Sequence, residues 1–159
     1  MAGLLAAVLL SSCASRQPYA GTKHAPYTVF GQRYHPLSPR QAVGGGFVET
    51  GIASHYRERR LFRSGPTALG EPFRARRMEG AHKTLPIPSR VRVTNLENGR
   101  QVVVRLNDRG PFVSGRVIDL TPAAADRLGF RQQGLAPVRV ELLSVGDFDA
   151  RGRARPFPR

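Results

Sequence analysis

The sequence predicts a mainly β protein, a small barrel interrupted by one short helix. Three observations carry this. Of 159 residues, Gly supplies 17 and Pro 13, so turns are frequent. Hydrophobic residues make up 40% and Trp is absent, which allows one core of ordinary size. Several short segments alternate polar and apolar residues with a period of two, as half-buried strands do.

Taken in order, residues 47–56 are the first candidate strand. Arg90-Val91-Arg92-Val93-Thr94-Asn95 alternates cleanly, Asn98-Gly99 marks a hairpin, and Gln101-Val102-Val103-Val104-Arg105-Leu106 returns as its partner. The triple Val predicts burial on both faces. Residues 117–120 form another strand and residues 137–142 close the set. Between them Thr121 is the expected helix cap, Pro122 suits the first helical position, and Gly129 stops the helix. The flanks differ. Residues 13–45 are rich in Pro and Gly, and Arg16, Lys23, Arg33 and Arg40 have no carboxylate among them. A flexible basic tether is expected there, leaving residues 46–145 as the barrel. Residues 146–159 carry Arg151, Arg153, Arg155 and Arg159 among small residues, and disorder is expected.

Residues 2–10, AGLLAAVLL, are too few to span a bilayer and suit the apolar core of a secretory signal. Leu10-Ser11-Ser12-Cys13 follows and resembles a bacterial lipobox. That resemblance makes residues 1–12 a signal peptide and Cys13 the lipidation site. Ala14 then resembles the outer-membrane sorting pattern, placing the chain at the inner leaflet of that membrane. Cys13 is the sole cysteine, which excludes an intramolecular disulfide and an all-cysteine zinc site. The net charge is +14. Within residues 46–145, 17 cations against 9 carboxylates leave +8. Export and the lack of an aromatic stacking face argue against nucleic acid. The expected anionic partners are headgroups, lipopolysaccharide phosphates and cell-wall carboxylates.

Three clusters can carry chemistry. Asn107-Asp108-Arg109-Gly110-Pro111-Phe112 places a carboxylate where a strand runs into a loop, though Asn, Asp, Gly and Pro are also ordinary turn residues. Glu71 follows Gly70 in a loop, the usual setting of a solvated charge. His82 sits in Gly80-Ala81-His82-Lys83-Thr84-Leu85-Pro86, with a capped turn or a core histidine as the plainer readings. His82, Glu71 and Asp108 lack a metal-ligand spacing, so neither metal nor cofactor is expected.

Together these segments resemble the rare lipoprotein A family over residues 26–143. The resemblance rests on Pro26-Tyr27-Thr28-Val29-Phe30-Gly31 and Arg33-Tyr34-His35-Pro36-Leu37, which resemble the family's pre-barrel segment within residues 13–45, and on Gly51-Ile52-Ala53-Ser54, which opens the barrel. It rests further on the His82-to-Pro86 stretch, Val91 to Arg100, Asn107 to Phe112, and Ile118-Asp119-Leu120. It implies a six-stranded double-psi β-barrel with one or two short helices between disordered tails, and a lytic transglycosylase. Such an enzyme cuts peptidoglycan between N-acetylmuramic acid and N-acetylglucosamine, prefers peptide-free strands, and leaves a 1,6-anhydro sugar. The resemblance makes Asp108 the acid/base, with Glu71 orienting the sugar or raising the Asp108 pKa. It has His82 bonding Asp108 or substrate, and Asp119 holding a loop. Tyr56, Asn107, Arg109 and Phe112 are the expected substrate contacts, and a monomer is the expected state. A non-catalytic peptidoglycan-binding barrel is the alternative.

The chain departs from the family at three places. The family's Trp becomes His55 in Ala53-Ser54-His55-Tyr56-Arg57, its His becomes Arg63 in Phe62-Arg63-Ser64, and its Asn becomes Leu69 in Leu69-Gly70-Glu71. With that Trp gone, Tyr56 or Phe112 is expected to supply the flat face for a sugar, or Arg109 and its neighbours to replace it with charge.

Overall fold

The computed structural model describes residues 25–56, 66–148 and 154–155. Cys13, Arg57, Arg63 and Ser64 lie outside them, and with them the signal, lipidation and Arg63 readings. Six strands close a barrel: β3 (Val48–His55), β4 (Glu79–His82), β5 (Ser89–Asn95), β6 (Gln101–Asp108), β7 (Arg116–Leu120) and β8 (Leu135–Val145). Around the barrel the order is β3-β7-β4-β6-β5-β8. The β3/β7 and β4/β6 pairs are parallel, the rest antiparallel. This is the mainly β, six-stranded double-psi barrel that the resemblance implies.

The alternating segments explain the core. Val91 and Val93 of β5, Val104 and Leu106 of β6, Ile118 and Leu120 of β7, and Val138 and Val140 of β8 point inward and are buried. Each contributes about 1.5–3 kcal/mol by leaving water. The triple Val does not behave as expected: Val104 is buried but Val103 is exposed, so this half of β6 alternates. Only its last residues, Leu106 to Asp108, are covered on both faces.

β4 was not visible in the sequence. All four of its residues are buried, so no alternation marks it. The helix α2 (Pro122–Leu128) forms where expected, and Gly129 ends it at φ 77° with its amide on Ala125 O and Asp126 O. Thr121 sits at the cap position without capping. Its hydroxyl instead donates to Arg77 O at 2.5 Å, tying the helix start to the segment before β4.

Residues 25–45 are not a loose tether. β1 (Tyr27–Val29) and β2 (Gln32–Tyr34) form a hairpin, and helix α1 (Pro39–Gly44) follows. Ser38 and Gln41 close a capping box, a signal present in the sequence as Ser-x-x-Gln. Tyr27, Val29 and Ala42 join the main core. At the other end β9 (Asp147–Phe148) pairs with β10 (Ala154–Arg155), where disorder was expected.

Candidate active site

Asp108 is the last residue of β6. The β4/β6 register shifts there: Gly80 pairs Leu106, whereas Ala81 pairs Asp108. The extra residue, Asn107, is a β-bulge, a device that re-aims the side chain after it. A Cβ on Gly80 would lie against the Leu120 and Leu106 side chains in the barrel interior, so Ala81 faces outward. Ala81 is paired with Asp108 on one side and Asp119 on the other, and Asp119 with Ser54. One row thus crosses four strands with two carboxylates on it. The loop after β6 runs over this row. Gly110, at φ 131°, passes so close that its Cβ would lie 3.8 Å from Asp119 Oδ2 and 3.9 Å from Ala81 Cβ.

The Asp108 carboxylate is 3% exposed and held by named donors. Oδ1 accepts from Ala68 N at 2.9 Å and Arg109 N at 2.8 Å, and Oδ2 from the Tyr56 hydroxyl at 3.1 Å. The Thr67–Glu71 turn carries one of these donors, the Ala68 amide. Thr67 N bonds Glu71 O, Glu71 N bonds Thr67 Oγ1, and Gly70 takes φ 79° to close the turn. Leu69, the departure from the family's Asn, seals the loop through its amide on Asn107 O. Glu71 itself meets Arg105 through two bonds, at 2.7 and 2.9 Å, and Asn107 Nδ2 at 3.2 Å. The guanidinium balances its charge, which opposes the expected like-charge effect on Asp108. Arg105, unmarked in the sequence, is thereby part of the site.

His82 is placed differently from expectation. It is 2% exposed and bonds neither Asp108 nor open solvent. Its Nδ1 accepts from Thr84 N at 3.2 Å and Leu85 N at 3.0 Å, so by assignment of this network Nε2 carries the proton donated to Glu49 at 2.9 Å. Burial holds its pKa below the ordinary 6.5, with the Glu49 bond opposing. The same bond lowers the pKa of Glu49, which is 39% exposed and had no signal in the sequence. His82 therefore organises the 82–86 turn.

Arg109 also differs. It is 1% exposed and points inward, donating to His82 O at 3.2 Å and Leu85 O at 2.5 Å, with its guanidinium 5.8 Å from the Tyr27 ring centre. Burial pushes its pKa down to about 10. It is a strut for the turn, not an open sugar contact. Asn107 is buried as the bulge residue bonded to Glu71. Tyr56 is buried too, so it offers its hydroxyl to Asp108 and packs edge-on against Phe73 at 4.8 Å. Phe112 is partly covered by Tyr34 at 5.5 Å and Tyr27 at 6.2 Å. The His55 ring lies between the carbonyls of Tyr56, 3.1 Å from Nδ1, and Arg131, 3.0 Å from Nε2, and leans on Phe130, so β3 meets the segment after α2 here. Asp119 accepts a side-chain hydrogen bond from the Ser54 hydroxyl. Among the described residues no three His, Cys, Asp or Glu side chains gather as a metal site. Nor is any described helix long and apolar enough to cross a membrane.

A family model described as lytic transglycolase matches residues 48–140, from β3 into β8. The chain is similar to the endolytic peptidoglycan transglycosylase RlpA of Pseudomonas aeruginosa, with 47% identity over 142 residues, 89% of this chain and 40% of that protein. It is 48% identical to the protein of the same name from Neisseria meningitidis over 120 residues, 76% of this chain and 48% of the relative. A probable endolytic peptidoglycan transglycosylase RlpA of Nostoc is 57% identical over 93 residues, 58% of this chain and 25% of that one. The chain thus spans less than half the length of these relatives. Among solved structures, the Streptomyces papain inhibitor superposes with a TM-score of 0.49 at 24% identity, over 62% of this chain and 96% of that one. With more than half of its residues inside the family model, the chain belongs to the lytic transglycolase family of double-psi β-barrels.

Proposed function

We propose that the chain is an endolytic peptidoglycan transglycosylase that cuts N-acetylmuramic acid–N-acetylglucosamine bonds in peptide-free strands and leaves a 1,6-anhydro end. The observation that carries this is the Asp108 carboxylate, fixed at the end of β6 on the row it shares with Asp119. Such a reaction needs no attacking water, because the sugar's own C6 hydroxyl closes the ring. One carboxyl group then suffices: Asp108 protonates the leaving oxygen and its carboxylate afterwards takes the C6 hydroxyl proton. This contrasts with the paired carboxylates of ordinary glycosidases. The Tyr56 hydroxyl supports both states, donating to the carboxylate and accepting when Asp108 is protonated. The backbone amides of Ala68 and Arg109 keep the acid oriented throughout.

Residues 2–10 and Cys13 support a lipid-anchored form facing the periplasm from the outer membrane. Cys13→Ser should then release the protein from the membrane fraction after a salt wash that removes electrostatic adsorption. The second reading, a barrel that binds peptidoglycan without cutting it, draws on the near-complete burial of Asp108 and the neutralisation of Glu71 by Arg105. Mass spectrometry after incubation with peptide-free peptidoglycan separates the two. Anhydro-ended fragments that disappear with Asp108→Asn support the enzyme; bound but intact strands support the binding module.

A further inference from the structure

A glycan strand lying across Asp108 needs an apolar face for its sugars, and of the two aromatic residues expected to offer one only Phe112 keeps part of its ring exposed. Tyr56 is buried and Arg109 points inward. The structure holds two aromatic groups near the Asp108 segment. Tyr56, bonded to Asp108, packs against the partly exposed Phe73. Phe112, four residues beyond Asp108, meets Tyr27 and Tyr34 of the hairpin.

The hairpin is rigidly seated. Tyr27 is buried, its hydroxyl donates to Lys83 O at 2.7 Å, and its ring lies beneath Arg109. Burial pushes its phenol pKa up to about 12, with the Arg109 charge opposing the shift. Tyr34 stacks on this fixed ring at 5.3 Å with the planes 21° apart, and it remains partly exposed. A ring held flat on an immobile partner, beside the loop that carries the acid, is suited to the apolar face of a pyranose.

We propose that the β1–β2 hairpin is a wall of the glycan groove, with Tyr34 as the sugar-stacking platform on the Phe112 side of Asp108. This rests on the transglycosylase or peptidoglycan-binding reading and adds a substrate contact from outside the barrel.

The test is co-sedimentation of the full chain with peptide-free peptidoglycan. Tyr34→Phe keeps the ring and should bind within about twofold of wild type. Tyr34→Leu keeps apolar packing on Tyr27 but removes the flat face, and should weaken binding about fivefold. Val103 on β6, an exposed apolar side chain outside the hairpin, serves as the control; Val103→Ala should bind as wild type does. Wild-type affinity in Tyr34→Leu, or an equal loss in Val103→Ala, overturns the inference. A wild type that binds no strands overturns the peptidoglycan reading itself. Should Tyr34→Leu fail to fold, protein labelled with 3-fluorotyrosine gives a second measurement. The Tyr34 resonance, identified by its loss in Tyr34→Phe, should move on adding glycan fragments; an unmoved resonance in a protein that binds them overturns the inference.

Discussion

Asp108 and Arg109 are adjacent in the chain and joined by the Arg109 amide on Asp108 Oδ1, yet their side chains belong to different networks. Asp108 faces the outward row and collects Tyr56 and the Ala68 amide, beside the Glu71–Arg105–Asn107 cluster. Arg109 turns the other way and ties together the carbonyls of His82 and Leu85, behind which stand Glu49 and Tyr27. The first network presents a carboxylate; the second holds the loop that carries it. Charged motif residues of similar prominence thus divide into chemistry and support, and direction across the strand decides which.

The largest expected effect breaks the first network. Asp108→Asn keeps an oxygen for the two amides, and its new NH2 meets a Tyr56 hydroxyl that can turn to accept. Anhydro-product formation should fall by about 10²–10⁴-fold while the thermal midpoint stays near wild type. Comparable rates in the two proteins would remove Asp108 as the acid/base.

Breaking the second network should do the reverse. Arg109→Met leaves two carbonyls without their buried donor, at a cost of about 1–3 kcal/mol each. Denaturant unfolding should show a loss of about 3 kcal/mol, larger than for Asp108→Asn. If the order is inverted, Arg109 is not the strut described here.

A smaller effect appears with pH. His82 is held neutral by burial, with its folded pKa below 6.5, so the unfolded chain binds the extra proton first. Its contribution to stability is present above pH 6.5 and is lost as pH falls below it; Glu49, also depressed, adds to the loss at pH below 4.5. Thermal midpoints should decline on acidification from pH 7.5 to 5, and His82→Gln should flatten that decline. An equal slope in both proteins would place the pH sensitivity elsewhere. The smallest effect belongs to Glu71→Gln, which weakens a partly exposed pair with Arg105. About 1 kcal/mol of stability should be lost by calorimetry, with activity reduced far less than by Asp108→Asn.

Much of this was legible in the chain. Alternation along β5, β6 and β8 and the Pro122–Gly129 frame reflect local rules, since a strand buried on one face must alternate and a helix must start and stop. β4 escaped because complete burial erases alternation in a four-residue strand. The β1–β2 hairpin and α1 escaped because their stability comes from docking Tyr27, Val29 and Ala42 onto a barrel formed later in the chain. The capping box at Ser38 was the one local sign of order there.

For the candidate site, residue types and motif resemblance singled out Asp108, Glu71 and His82; the structure sets Asp108 and Glu71 about the end of β6 and puts His82 in the turn with Glu49. Which of them meet was settled by tertiary structure alone. His82 pairs with Glu49, 33 positions away, and Tyr56 reaches Asp108 across 52 positions. Contacts of that span depend on barrel register: a single bulge at Asn107 sets which way Asp108 points, and a shift of one residue turns a side chain to the opposite face. The sequence by itself determined the barrel strands other than β4, the α2 helix and the chemical groups; closure of the barrel decided which of those groups gather at the candidate site and which support it.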